Sequence, residues 1–283
     1  MIKYNNKHWF RFLFRKSGYF HDEMLVSILV YAAIVATLTI VEKEFSFKIF
    51  ELPMTFHTVL GLVIGLLLVF RTNTAYDRWW EGRKQLGSLV NTCRHLSLKS
   101  KHYLNDEQAF TLIGAFPFIL KEHLRKMDWN LLPDGLQEKM PTGFADAQHK
   151  PNFLLNSLSA IYSTAYKQGK ISGEQLIILE DEVSNLMDIQ GACERIRNTP
   201  IPFGYTIHLK RILLIYLLTL PFGFIKTMGW YSTPFMIMVF YTMVGIELMG
   251  EEIEEPFGTD LNDLPFDELA TKIQGNVQEI QKM

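Results

Sequence analysis

Residues Met24 to Val41 read MLVSILVYAAIVATLTIV, an unbroken stretch of 18 residues without a charged side chain. A helix of about 20 apolar residues is long enough to cross the roughly 30 Å hydrocarbon core of a bilayer. Further apolar runs follow at 52–70, 212–225 and 228–248. We therefore predict an all-α protein in which these four runs are transmembrane helices. The alternative is a large water-soluble helical protein with the four runs in its core. A chain of 283 residues has too few polar residues to cover all four runs.

Basic residues beside the runs predict the orientation, because lysine and arginine are enriched in cytoplasmic loops. They lie before the first run, between Lys3 and Lys16, after the second run and before the third. The short loops at 42–51 and 226–232 are then outside, and the long segment 71–210 is cytosolic. Four spans return the chain to the cytoplasm, so we expect both termini there.

Segment 71–210 is expected to be helical. Apolar residues recur every three or four positions over 76–98, and no Pro/Gly cluster precedes them, which predicts one long helix that continues out of the second span. The run 110–120 is too short to span a membrane and indicates a buried helix. Another amphipathic helix is predicted over 172–197. The two cysteines are expected to be buried thiols: Cys93 and Cys193.

Composition and motifs argue against several function classes. The formal net charge is −2, which offers no basic surface for nucleic acid. The eight histidines are scattered without metal-ligand spacing. Gly-rich phosphate loops and nucleophile elbows are missing from the sequence. We therefore expect that the protein is not an enzyme, does not bind nucleic acid and requires no cofactor.

The second run carries two stripes of residues at four-residue spacing. Leu62, Leu66 and Phe70 form an apolar stripe, and Gly61 and Gly65 form a small-residue stripe that would let another helix approach closely. If several copies surrounded an axis, the apolar stripe would form stacked hydrophobic rings that gate ions by dewetting. The spacing alone also suits a stripe that faces lipid or packs on another helix.

Two charged stretches lie where the chain leaves the membrane. Residues 71–83 are rich in basic and aromatic side chains, which is typical of interfacial anchors, and their charges could also pair within or between subunits. Residues 247–263 contain seven carboxylates, which suit calcium but lack EF-hand spacing. From the sequence alone, 247–263 is predicted to be a solvated acidic stretch, and 249–283 is predicted to be a cytosolic acidic C-terminal tail.

Three motifs together resemble the bestrophin family in its bacterial branch. They are FRTNTAYDRWW at 70–80, NTPIPFGYTIHLK at 198–210 and EEPFGTD at 254–260. The resemblance covers nearly the whole chain, 1–283, as a single domain. It implies a homopentamer around one pore, in a bacterial inner membrane, with the second span lining a narrow neck and 71–210 forming a cytosolic vestibule.

The resemblance also implies roles for individual residues. The family's three neck positions fall on Leu62, Leu66 and Phe70, the stripe that spacing had already singled out. A second constriction at the cytosolic exit falls on Gln175, where a small apolar residue is common, so a wetter aperture is expected. Animal members bind calcium in a clasp, whose side-chain positions correspond here to four carboxylates: Glu252, Glu255, Asp260 and Asp263.

The expected function is passive conduction of small inorganic ions, without a covalent step. The family is usually described as passing chloride and other anions, which favours an anion channel. The acidic exit at 251–263 would instead suit a cation-selective channel of the same architecture. The alternative from another class is a membrane-anchored scaffold or enzyme without a conducting pore.

Overall fold

The computed structural model describes residues 19–45, 51–127, 132–133 and 135–283. The basic tail between Lys3 and Lys16, on which part of the predicted orientation rests, lies outside these residues. All regular secondary structure in the described residues is helical, as predicted. The α-helices are α1 (Tyr19–Glu44), α2 (Met54–Tyr103), α3 (Glu107–Arg125), α4 (Lys150–Lys167), α5 (Gly173–Asn198), α6 (Phe203–Thr219), α7 (Pro221–Met228), α8 (Ser232–Glu254) and α9 (Phe266–Lys282); two short 3-10 helices are Gln137–Lys139 and Gly229–Tyr231.

Three segments of the described chain are long and apolar enough to cross a membrane: Met24–Glu44, Met54–Tyr103 and Phe203–Glu254. The first contains the predicted span 24–41, and the second contains the predicted span 52–70 from Met54 onward. The predicted runs 212–225 and 228–248 both fall inside the third segment, so the structure gives three candidate spans where four were predicted. The physical reason is that α7 and a 3-10 turn, rather than a polar loop, join α6 to α8.

The chain forms two compact units. The first comprises Met1–Arg78, Pro200–Glu255 and Asp260–Asn262; the second comprises Trp79–Thr199, Pro256–Thr259 and Asp263–Met283. Helix α2 is continuous over 50 residues and contributes to both, which confirms the predicted long helix.

The core of the first unit is formed by α1, α2, α6 and α8. The hydroxyl of Tyr31 donates to the backbone carbonyl of Leu217 over 2.8 Å, and the ring of Tyr31 stacks on Phe240 at 4.8 Å. Of the residues in the most apolar part of α1, only 22% are buried by the rest of the protein. Side chains such as Leu25 and Leu29 are exposed instead. A water-soluble protein would bury such a surface, whereas a bilayer covers it.

The second unit has its own core around α3. Residues 109–122 of this helix are buried except Thr111, which confirms the buried helix predicted at 110–120. The carboxylate of Asp106 accepts from the backbone N–H of Ala109 and caps the helix. The hydroxyl of Ser172 caps α5 in the same way, which confirms the predicted start of that helix at 172. Both cysteines are buried and free: Cys93 and Cys193.

The end of the chain corrects one prediction. Residues 249–283 were expected to be an acidic C-terminal tail without a packed helix, but α9 packs on α3 within the second unit. One face of α9 enters the core, and the ammonium of Lys121 holds Asp267 at 2.7 Å. The signal was present in the sequence as apolar residues three or four positions apart: Phe266, Ala270, Ile273, Val277 and Ile280.

Candidate functional site

The predicted neck residues lie on one exposed face of α2. Leu62, Leu66 and Phe70 are 70%, 54% and 62% exposed. The opposite face carries Ile64 and Leu68, which are buried in the core of the first unit. Helix α2 therefore presents an apolar stripe that the other helices of the unit leave uncovered.

Polar residues lie at both ends of this exposed face. Thr55 and Asn73 are five helical turns apart at 3.6 residues per turn, so they share a face with the stripe between them. Both are exposed. The face therefore changes from polar to apolar and back to polar along α2.

The two glycines of α2 have different surroundings. A Cβ atom on Gly61 would lie 2.8 Å from the hydroxyl of Tyr216 on α6, whereas one on Gly65 would meet nothing within 4 Å. The space beside Gly61 is therefore filled by the ring of Tyr216, and the close approach of another helix stays a prediction. Within the first unit, Gly65 is not used for packing.

Glu254 joins three segments of the first unit. Its carboxylate accepts from Nη2 of Arg71 at 2.6 Å and from the backbone N–H of Ile201 at 2.7 Å. Its backbone carbonyl accepts from Nε of Arg78 at 3.0 Å. Arg71 is fully buried, so its charge is compensated where water cannot reach it. Each of the three motifs that resemble bestrophins contributes a residue to this junction.

The acidic stretch is partly neutralised by cations. Nζ of Lys210 lies 2.8 Å from Oε2 of Glu251 and 3.6 Å from Oε1 of Glu247. Together with the Arg71–Glu254 pair, these contacts involve three of the seven carboxylates between 247 and 263. The negative charge at this end of α8 is therefore smaller than the sequence suggested.

Gln175, the predicted aperture residue, lies in the first turn of α5. Its side-chain oxygen accepts from the backbone N–H of Ser172 at 2.9 Å, and its own N–H donates to the Ser172 hydroxyl at 3.3 Å. This reciprocal capping box fixes the direction of the Gln175 side chain. The role of Gln175 in a pore stays a prediction.

The four carboxylates of the calcium hypothesis are divided between the units. Glu252, Glu255 and Asp260 belong to the first unit, where Glu255 and Asp260 are exposed. Asp263 belongs to the second unit, where it is buried. Calcium binding stays a hypothesis.

A cluster that was not predicted lies in the second unit, where the side chains of His123, His149 and Glu194 meet. Oε1 of Glu194 is 3.1 Å from Nε2 of His123 and 3.2 Å from Nε2 of His149. The two rings are 4.5 Å apart between centroids. Burial, together with the charges of His149 and Arg197, lowers the pKa of His123 although Glu194 opposes the shift.

Comparison with known proteins identifies the family. Residues 1–279 match the family model described as bacterial/fungal bestrophin protein. The chain belongs to this bestrophin family. It is 35% identical to a voltage-dependent anion channel-forming protein of Synechocystis, over 96% of this chain and 91% of the relative. It is 34% identical to a protein of the same description from Nostoc, over 98% and 93%.

Solved bestrophin structures share the fold. A variant of a bacterial bestrophin homologue from Klebsiella pneumoniae superposes with a TM-score of 0.82 at 25% identity, covering 93% of this chain and 100% of that one. The resemblance inferred from the three motifs is thereby confirmed.

Two features of this bestrophin were not predicted from its sequence. The histidine cluster is one, since His123, His149 and Glu194 lie on different elements far apart in the chain, and no local spacing reveals them. The other is the identity of the partner of Arg71. Arg71 belongs to a basic and aromatic stretch that is typical of interfacial anchors, and only the fold shows that Glu254 neutralises it.

Proposed function

We propose that this bestrophin is a subunit of a homopentameric channel that passively conducts chloride and other small anions. The observation that carries the proposal is the exposed apolar stripe Leu62, Leu66 and Phe70, bounded on its own face of α2 by polar residues. Five copies around an axis would turn the stripe into three hydrophobic rings between two wetter regions, an arrangement that gates ions by dewetting. Gln175 would line a second aperture at the cytosolic exit.

We further propose four membrane crossings per subunit. Lys210 at the start of α6 pairs with Glu251 at the end of α8, so the chain reverses within the segment Phe203–Glu254. At the other end, Lys226 of α7 pairs with Glu51, next to the start of α2. Contacts at both ends support two antiparallel crossings, by α6–α7 and by α8, in addition to those of α1 and α2. With the basic flanks inside, both termini are then in the cytoplasm of a bacterial cell and the channel is in its inner membrane.

Anion selectivity is supported by the relatives and by the ion pairs. The proteins of Synechocystis and Nostoc are described as anion channel-forming. The rival, a cation-selective channel, depends on the acidic stretch near the end of α8. Pairing with Lys210 and Arg71 reduces the net charge of that stretch, which weakens the rival.

Conduction requires no cofactor in this proposal. Calcium remains a separate hypothesis at Glu252, Glu255, Asp260 and Asp263, because carboxylate oxygens are its preferred ligands. Currents that are unchanged after chelation would reject calcium gating without affecting the channel proposal.

The experiment is a reversal-potential measurement on purified protein in a planar bilayer under a KCl gradient. We expect reversal near the chloride equilibrium potential. Reversal near the potassium potential would establish the cation-selective alternative. Protein that is shown to be pentameric but carries no current at any voltage would favour the membrane-anchored scaffold.

A further inference from the structure

We propose that His123, His149 and Glu194 form a binding site for a divalent transition-metal ion of the Zn²⁺ class. The site lies wholly within the second unit and is separate from the proposed pore residues. His123 is in the last turn of α3, His149 precedes the first residue of α4, and Glu194 is near the end of α5. An ion there would connect three helices of one unit.

The spacing of the ligand atoms suits a tetrahedral ion. Zinc bonds to nitrogen or oxygen are about 2.0–2.1 Å long, so two ligands on a tetrahedral zinc ion lie roughly 3.3 Å apart. The Glu194 oxygen is 3.1 Å and 3.2 Å from the two imidazole nitrogens. All three ligand atoms lie within 4.8 Å of one another. Small side-chain rotations would therefore seat an ion among them.

The carboxylate oxygen is available as a ligand. Oε1 of Glu194 is buried from solvent and has no hydrogen-bond partner of acceptable geometry among the described residues. The two imidazole nitrogens lie near this oxygen without the alignment of a hydrogen bond. A buried charged oxygen without a well-aligned donor is unfavourable, and a bound cation would remove that penalty. Nearby Arg197 donates to the backbone carbonyl of His123 at 3.3 Å.

The ligand set selects among cations. Two imidazoles and one carboxylate suit Zn²⁺, Co²⁺ or Ni²⁺, whereas Mg²⁺ and Ca²⁺ prefer sites made of oxygen. Three protein ligands leave a fourth position for water. The three side chains are 24–36% exposed, so an ion can enter from solvent.

Binding requires one proton to move. Nδ1 of His149 accepts from the backbone N–H of Asn152 at 3.3 Å, so the proton of the neutral ring is on Nε2. When Nε2 of His149 binds the ion, its proton is displaced. The imidazole stays neutral only with its proton on the other nitrogen, Nδ1. The Asn152 N–H then loses its acceptor, and the first turn of α4 loses its cap.

The test uses the purified full-length protein with CoCl₂, ZnCl₂ and MgCl₂. We expect Co²⁺ to give the visible d–d absorption of a four-coordinate site and Zn²⁺ to abolish it by competition. At a hundredfold excess over Kd, Zn²⁺ should raise Tm by on the order of 5 °C. Mg²⁺ should do neither.

Two variants and one control localise the binding. His149→Asn removes a ligand but supplies another good N-cap residue, and Glu194→Gln removes the charge at nearly constant shape. Each should weaken Co²⁺ binding at least tenfold. His95→Asn is the control, because Nδ1 of His95 also faces a glutamate, Glu182, at 4.0 Å; it should bind as the parent does. No d–d absorption and no thermal shift in the parent protein, or unchanged binding by His149→Asn, would overturn the proposal.

Discussion

Arg71 and Glu254 form a buried ion pair between residues 183 positions apart in the chain, with Nη2 of the arginine 2.6 Å from Oε2 of the glutamate. Arg71 is 1% exposed and Glu254 is 12% exposed. Removing one member of such a pair leaves the other charge buried without compensation, which is far less favourable than losing an exposed pair.

The first prediction follows from this pair. Glu254→Gln keeps an oxygen that can accept from the Ile201 N–H but removes the charge that faces Arg71. We expect the free energy of unfolding to fall by about 3–5 kcal/mol. The measurement is thermal unfolding of the detergent-solubilised protein. Lys226→Met, which breaks an exposed pair with Glu51, is the control and should leave Tm nearly unchanged. Equal Tm values for both variants would contradict the assigned role of Glu254.

The second prediction concerns the neck. Simultaneous alanine substitution of Leu62, Leu66 and Phe70 should widen the proposed hydrophobic rings and raise single-channel conductance, because dewetting weakens as the constriction widens. The matched control is a triple alanine variant of the exposed α1 residues Leu25, Leu29 and Val30, which should conduct as the parent does. If both triple variants conduct like the parent, the stripe on α2 is not the neck.

The third prediction tests the aperture. Gln175→Glu can keep the side-chain acceptor for the Ser172 N–H while adding a negative charge. If Gln175 lines the conduction path, the reversal potential under a KCl gradient should move away from the chloride potential. Asp181→Asn, which also changes one charge on α5, is the control. An unchanged reversal potential in Gln175→Glu would remove this residue from the path.

The fourth prediction compares the two glycines of α2. Gly61→Ala places a methyl group against the Tyr216 hydroxyl, and we expect a loss of about 1–3 kcal/mol in stability. Gly65→Ala has open space around the new methyl within the subunit and gains helix propensity. Its Tm in detergent should be equal to or above that of the parent. The reverse order of Tm values would contradict the packing of α6 on α2.

The fifth prediction is a pH dependence at Asp267. Burial alone would raise the pKa of Asp267, but hydrogen bonds from Lys121 and Arg125 outweigh it and hold the pKa below its ordinary value of 3.8. The folded state therefore releases this proton more readily than the unfolded state. The stabilisation is fully present above the ordinary pKa and is lost as pH falls through the folded value. Asp267→Asn should lower Tm at pH 7, and the difference should shrink below about pH 4.

Much of the fold could be predicted from local pattern. The apolar runs predicted the helices that contain the candidate spans. The lack of a Pro/Gly cluster between the second run and the amphipathic pattern at 76–98 predicted the long helix α2, and Ser172 predicted the start of α5. Each of these signals lies within a few turns of one helix. The joining of α6 to α8 was harder to predict, because residues 226–232 contain Gly229 and a lysine and resemble a loop although they are helical.

The remaining features depend on tertiary contacts between distant residues. Glu254 is one of seven carboxylates in an acidic stretch of the sequence. Nothing in that stretch predicts that its side chain is only 12% exposed and paired with Arg71. His123 and His149 were two of eight scattered histidines. The amphipathic pattern of α9 is visible in the sequence and predicts a packed helix. The acidic residues before it led instead to the prediction of an acidic tail over 249–283.

The long sequence separation within the Arg71–Glu254 pair has a consequence for biosynthesis. Ribosomes add about 5–20 residues per second, so roughly 10–40 s pass between the synthesis of Arg71 and that of its partner. During this interval the nascent α2 holds an arginine whose counter-charge does not yet exist. The arginine is expected to stay hydrated until α8 is complete, because burying its charge without a partner is unfavourable. Final packing around Arg71 is therefore delayed until α8 has been made, and a product truncated before residue 254 would carry an arginine without its counter-charge.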